Sequence, residues 1–444
     1  MGAAALSPIV TACIQLGPVP ILLHTWGAAK YGDWLLLWAI PGYLSLSDMG
    51  FGDASGNDMT VRVAAGDRQG ALRTFQSSWV LLAVASVVVL LAASLVMWRI
   101  PWQLWLKLSS ISNSDAAAVI FTLGVYTVLA QQNGIYESGF RCDGHYATGM
   151  SWVTALRLIE AVGSTAVAMV RGSSLLAVAV AYLVIRVVGT VAYGLRLRQL
   201  SPWLTLGFRH ARLKTIRDLS IPALGFMAMP LGHACSFQGF TVVVGSLLGP
   251  QSVVAFSTMR TLSRISCQLL TVVARAVWPE MSSAFGAGNI PLARKLHRNA
   301  CQLGVALSLL AGILLWAAGP YVYRIWVRHA VVFDSACFDV LLVGIIANSV
   351  WLTSSVVPMS TNVHHRMAVA YLLGTSGSLA LAWLLIHPYG NLGAASAILI
   401  GEVWMCWFVL PMALRQVNDT PAEFLSAMFR RPRFNRAWWS TNEV

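Results

Sequence analysis

The chain has 444 residues, 57% of them hydrophobic and only 11% charged, with a formal net charge of +13. Soluble domains carry about a quarter charged residues, whereas apolar runs long enough to cross about 30 Å of hydrocarbon recur here along the whole length. That excludes a soluble enzyme, and a nucleic-acid-binding role loses its basis because the positive charge falls into short segments between the apolar runs.

Twelve spans are predicted, at 2–26, 32–55, 75–98, 116–140, 148–170, 172–194, 219–245, 251–285, 300–319, 334–358, 364–386 and 391–414. An all-α polytopic membrane protein follows, since every backbone polar group inside the bilayer must be satisfied within a helix. The first span is too long for a cleaved signal peptide and no basic residue precedes it, which leaves open a start upstream of Met1. The second runs into "YLSLSDMGFGDASGND" (43–58), with three aspartates and three glycines where a lipid-facing helix would carry leucine. Here Gly50 and Gly52 suit close helix approach or local unwinding, and Asp48 can face a cavity.

After the third span, "RIPWQLWLKL" (99–108) sets Trp102 and Trp105 beside cations, as in a headgroup region. Span four carries Glu137 behind the polar triplet "QQN" (131–133), which fits either a cavity lining or an interhelical hydrogen-bond cluster. In span five, Arg157 and Glu160 stand three residues apart and are expected to neutralise each other on one helix face. Span six contributes Arg186. The densest basic loop, "RLRQLSPWLTLGFRHARLKTIRD" (196–218), then divides the chain into a six-helix bundle at 1–195, a linker at 196–218 and a second bundle at 219–415, followed by an amphipathic tail at 416–444.

A shift of 222 residues lays "AAGDRQGALR" (64–73) over "GAGNIPLARK" (286–295) and Gly27 over Gly249, which suggests a duplicated unit. Span eight carries Arg260, Arg264 and Arg275. At about 100° per residue they share an arc of roughly 60° over roughly 22 Å, with Glu280 on the opposite side. Such a stripe suits a phosphate or pyrophosphate track. The alternative is internal pairing with Asp48, Glu137 or Glu402, because an ionisable group at the bilayer centre costs about 2.5–3.5 kcal/mol. The tail "AEFLSAMFRRPRFNRAWW" (422–439) reads as an anchor on anionic lipid.

With both ends on one side, 19 basic residues fall on that side and 6 on the other, the bias expected when both termini are cytoplasmic. Seven scattered cysteines show neither metal-ligand nor disulfide spacing. No phosphate loop, H-E-x-x-H or G-x-S-x-G occurs, and the outer loops are short. Transport driven by a gradient or by product removal is therefore expected, with no resident cofactor.

"GAAKYGDWLLLWAIPGYLSLSDMGFGDASGNDM" (27–59) resembles the second-helix signature of the O-antigen and polysaccharide flippase family, in Gly27, Tyr31, Gly32, Asp48, Gly50 and Gly52. The long arginine-bearing span eight ending in "VWPEMSSAFGAGN" (277–289) is similar too. That family shares a superfamily with multidrug antiporters and the lipid II flippase. The resemblance implies about 12 transmembrane helices in two six-helix bundles around a central cavity. It also implies translocation of an undecaprenyl-pyrophosphate-linked oligosaccharide, an O-antigen or exopolysaccharide unit, across the bacterial inner membrane by alternating access, with proton or sodium coupling as an option. A polysaccharide polymerase and glycosyltransferases of the same pathway would be partners. The candidate substrate-binding residues are Arg260, Arg264, Arg275 and Arg186, and the candidate coupling or gating residues are Asp48, Glu137, Glu402, Gly50 and Gly52. A multidrug-type cation-coupled antiporter is the alternative, and a membrane-embedded polymerase or ligase a third reading.

Overall fold

The computed structural model describes residues 10–44, 50–328, 330–361 and 363–429, and every regular element among them is helical. Long helices follow in chain order: α1 (Pro18–Gly42), α2 (Phe51–Ala64), α3 (Arg68–Val96), α4 (Asn113–Cys142), α5 (Tyr146–Ala168), α6 (Leu175–Leu200), α7 (Leu213–Ala234), α8 (Phe240–Leu248), α9 (Pro250–Gly286), α10 (Ile290–Trp326), α11 (Ser335–Ser354), α12 (His364–Gln416) and α13 (Pro421–Met428). Seven helical stretches among the described residues are long and apolar enough to cross a membrane. Two expected boundaries prove to be kinks. Gly27 breaks α1, and Gly390, with φ 54° and ψ −134°, breaks α12 between the expected eleventh and twelfth spans.

The 222-residue shift is written into the backbone. Gly27 has φ 74° and ψ 172°, and Gly249 has φ 86° and ψ 175°. Only glycine adopts that region without strain. The Asp67 side chain accepts from the Gly70 amide at 2.7 Å to cap α3, and Asn289 caps α10 through the Leu292 amide at 3.0 Å. Ser112 caps α4 through the Asp115 amide, and Asp334 caps α11 through the Cys337 amide. Each pair is offset by the same 222 positions. Side-chain oxygens satisfying the first free amides are what start a helix at a defined residue.

The caps also correct the sequence reading. Spans three and nine begin at Arg68 and Ile290 rather than at 75 and 300, so Arg294, Lys295 and Arg298 ride on helix instead of in a loop.

Two compact units divide the chain, Met1–Val254 and Ala255–Val444. In the first, α4 packs against α1, α2, α3, α5 and α6. Its core includes Phe75, Ile135, Phe140 and Tyr193, with the Phe140 and Tyr193 rings stacked at 4.8 Å. Phe51 and Ala54 of α2 meet Leu219 and Ala223 of α7. Between α1 and the α8–α9 junction the backbones come so close that a Cβ at Gly32 would overlap the Pro250 carbonyl. On α3, by contrast, Val84, Val88, Leu91 and Leu95 form an exposed stripe at helical spacing, the face a spanning helix offers to lipid.

In the second unit, Val277 and Met281 of α9 pack with Ala293 and Leu296 of α10 and with Ala413 of α12. The tail is more than a surface anchor there. Its first part, α13, docks on α10, with Phe424 buried and stacked on His297 at 5.3 Å. Arg298 donates to Asp419 at 2.7 and 2.5 Å and to Glu423 at 3.1 Å. Residues 430–439 of the expected anchor lie outside the described residues.

The segment expected at the membrane surface splits by residue. Trp102 is buried, and its indole N–H donates to the Met97 carbonyl at 2.8 Å, whereas Leu104 and Trp105 are exposed.

Candidate functional site

The second unit holds a small cavity of about 20 Å³ lined by three helices, room for about one water molecule. Residues 260, 263, 264 and 267 line it from α9, and 341, 344, 345 and 348 from α11. Both sets follow the i, i+3, i+4, i+7 spacing of a single helix face. Glu402 enters from α12. Arg260 is 6% exposed, and its guanidinium lies 6.0 Å from the centre of the Phe256 ring. Glu402 is engaged from the opposite side, its Oε2 accepting from Asn348 Nδ2 at 3.0 Å and from the Trp351 indole N–H at 2.6 Å.

Of the expected stripe, Arg260 and Arg264 line this cavity from α9 together with Glu402 from α12, and Glu280 is exposed. Arg275 lies on the same helix, but its side chain falls outside the described positions. Asn348 and Trp351 escaped the sequence reading. Their signal was an amide and an indole three residues apart in an apolar span, two donors without an obvious acceptor.

The first unit buries a second ionic cluster. Arg186 Nη2 donates to Glu160 Oε2 at 2.7 Å and to the Tyr126 hydroxyl at 2.7 Å. That hydroxyl donates to Glu160 Oε2 at 3.0 Å, closing a triangle. The guanidinium also lies 4.7 Å from the centre of the Tyr126 ring, a favourable position over the ring's negative face. Tyr182 packs edge-on to Tyr126 and lies 4.8 Å from Trp38, whose neighbour Trp34 lies 5.5 Å away. The pairing expected between Arg157 and Glu160 is corrected. Glu160 turns to α6, while Arg157 is exposed, because α5 buries its Glu160 face against α6 and leaves residue 157 outside that contact.

Around the α1–α2 connection the candidates separate. Asp48 lies outside the described residues. Gly50 stands just ahead of α2 with φ 75°, so the expected second span is interrupted rather than continuous. The Gly52 carbonyl accepts from the Ser138 hydroxyl of α4 at 3.0 Å, and α2 and α4 pack along this seam. Of the polar triplet, Gln131 Nε2 donates to the Leu44 carbonyl and Gln132 Nε2 to Ser86 Oγ at 3.4 Å. These are bonds between chain segments, the second of the two readings offered for the triplet. Glu137 is half-buried one turn beyond Asn133.

Asp58 accepts from Arg62 at 2.7 Å and from Thr74 at 2.6 Å, tying α2 to α3. Asp33 was not singled out in the sequence. Buried on α1, it accepts from the Ser109 and Ser110 amides and from the Ser110 hydroxyl, and so fixes the turn before α4.

No family model matches the sequence, and no curated protein matches it. Solved structures do. One is the inward-facing conformation of a multidrug resistance MATE family transporter of the MOP superfamily, with a TM-score of 0.75 at 14% identity over 92% of this chain and 94% of that one. The Vibrio cholerae MATE transporter VcmN, as a point mutant, gives 0.65 at 15% identity over 96% of both chains. An outward-facing conformation of a MATE family transporter gives 0.58 at 14% identity over 92% and 96%. At such identities the likeness is one of fold. The chain has the all-helical, multi-pass membrane fold of MATE transporters, whose twelve transmembrane helices form two bundles.

Proposed function

We propose that this protein is a transporter working by alternating access, and that its substrate is an anionic lipid-linked oligosaccharide. The observation carrying the reading is the lining of the second-unit cavity, where, among the described residues, two guanidiniums, Arg260 and Arg264, meet one carboxylate, Glu402. That carboxylate already accepts from Asn348 and Trp351. A wall with excess positive charge attracts a pyrophosphate and repels the cationic drugs that acid-lined cavities take up. The resemblance of residues 27–59 to the flippase signature supports the same substrate class, with a bacterial inner-membrane location and both termini cytoplasmic.

A second reading, a multidrug-type antiporter, is favoured by the names of the structural neighbours.

The two are separated in proteoliposomes containing a fluorescent polyprenyl-pyrophosphate-linked oligosaccharide, with translocation read by loss of label to a membrane-impermeant quencher. Wild-type protein should flip the label, Arg264→Lys should retain part of the rate, and Arg264→Ala should remove it at unchanged melting temperature. A wild-type protein that leaves the glycolipid in place but expels ethidium against a proton or sodium gradient would move the assignment to the antiporter.

A further inference from the structure

The second unit carries a larger cavity away from Arg260 and Glu402, of about 560 Å³, in the size range of small-ligand sites. One face of α12 forms most of it. Trp407, Phe408, Pro411 and Met412 supply an apolar trough, and Arg415 stands at its end, where Arg366 joins it from the first turn of the same long helix. The spacing 407, 408, 411, 412, 415 is that of a helical stripe, so the trough runs along the helix axis and becomes cationic only at one end. Trp407 is 79% exposed, and both arginines are exposed.

Fatty chains fill an apolar trough, and a phosphate diester suits a pair of guanidiniums. An amphiphile with its negative charge at one end matches the pattern, whereas a neutral drug would leave the two cations unused and a free anion would leave the trough empty. The setting agrees. Arg366 and Arg415 fall on the membrane face to which the sequence assigns most of the basic residues. In the segment that follows the trough's cationic end, Leu425 of α13 and Phe429 just past it are exposed, as in a segment lying at headgroup level. We propose that this cavity is a binding site for an anionic glycerophospholipid of the bilayer, its phosphate between Arg366 and Arg415 and an acyl chain along Trp407, Phe408, Pro411 and Met412. The site shares no lining residue with the Arg260–Arg264–Glu402 cavity and does not depend on which substrate is carried.

Native mass spectrometry of the full chain in detergent tests it, by titrating phosphatidylglycerol, phosphatidylcholine of the same acyl chains, and inorganic phosphate. Two cations worth about fivefold each should favour phosphatidylglycerol over phosphatidylcholine by about 25-fold. The preference should vanish in the Arg366→Gln, Arg415→Gln double variant and persist in the double Lys variant. Trp407→Ala, which keeps both charges, should weaken binding of either lipid severalfold. A preference that survives the double Gln variant overturns the site, as does equal binding of the two lipids by wild type. Retention of inorganic phosphate as tight as that of phosphatidylglycerol would make it an anion site without a lipid.

Discussion

Replacing Glu160 by Gln is the sharpest test of how the first unit is held together. The side chains of Arg186 and Glu160 are 6% and 2% exposed, with 2.7 Å between nitrogen and oxygen. The substitution keeps the shape of the site but removes the negative charge paired with Arg186, leaving a guanidinium against a phenol and an amide. Breaking a buried pair by removing one partner costs about 3–5 kcal/mol. Unfolding entropy is about 2.1 cal/mol/K per residue, which over the 254 residues of the first unit gives ~0.5 kcal/mol/K, so the melting temperature should fall by about 6–9 °C. The measurement is a thermal ramp of the detergent-purified protein, followed by intrinsic tryptophan fluorescence. Arg186→Met should cost a similar amount. The double variant Glu160→Leu, Arg186→Met should recover at least half the loss, because neither charge is then buried alone. Single variants that melt within 1 °C of wild type would refute the structural role and return Arg186 to the substrate-binding candidates. So would a double variant no better than the worse single.

Gly27→Ala and Gly249→Ala each force a side chain into a backbone region reserved for glycine and should cost about 1–3 kcal/mol by the same melt; Gly312, where nothing lies within 4 Å of an added Cβ, serves as the control that should tolerate Ala. The docking of α13 should depend on pH. Burial alone would raise the Asp419 carboxyl, but the hydrogen bonds and positive charge of Arg298 hold it below its ordinary value of 3.8. The pairing therefore stabilises the docked tail fully above about pH 4 and loses that contribution as pH falls through the depressed folded value. Limited proteolysis should show α13 protected at pH 7 and released in acid, with Asp419→Asn releasing it at pH 7 as well; protection that is unchanged in the variant would mean that Phe424 and the remaining bonds to Glu423 and Ala427 secure the helix without Asp419.

Much of the architecture is legible in the chain because its causes are local. Runs of apolar residues define spans, and capping residues such as Asp67 and Asn289 define where helices begin. Two glycines 222 positions apart mark a repeat that the backbone then reproduces in its dihedral angles. The faces of helices follow as well, since 260, 264 and 267 lie on one side of α9 whatever surrounds it. Choice of partner is not local. Glu160 had Arg157 three residues away and took Arg186, 26 residues on, because helix packing decides which faces are dry, and a buried charge gains more from a buried partner than an exposed one does. Glu402 could not be matched to Asn348 and Trp351 from sequence for the same reason. Asp33 carried no signal in the sequence because its partners, the amides of Ser109 and Ser110, lie 76 and 77 residues further on. Sequence sets periodicity and termini through interactions within a few residues; tertiary structure decides which charges leave water together, because only packing determines where water is excluded.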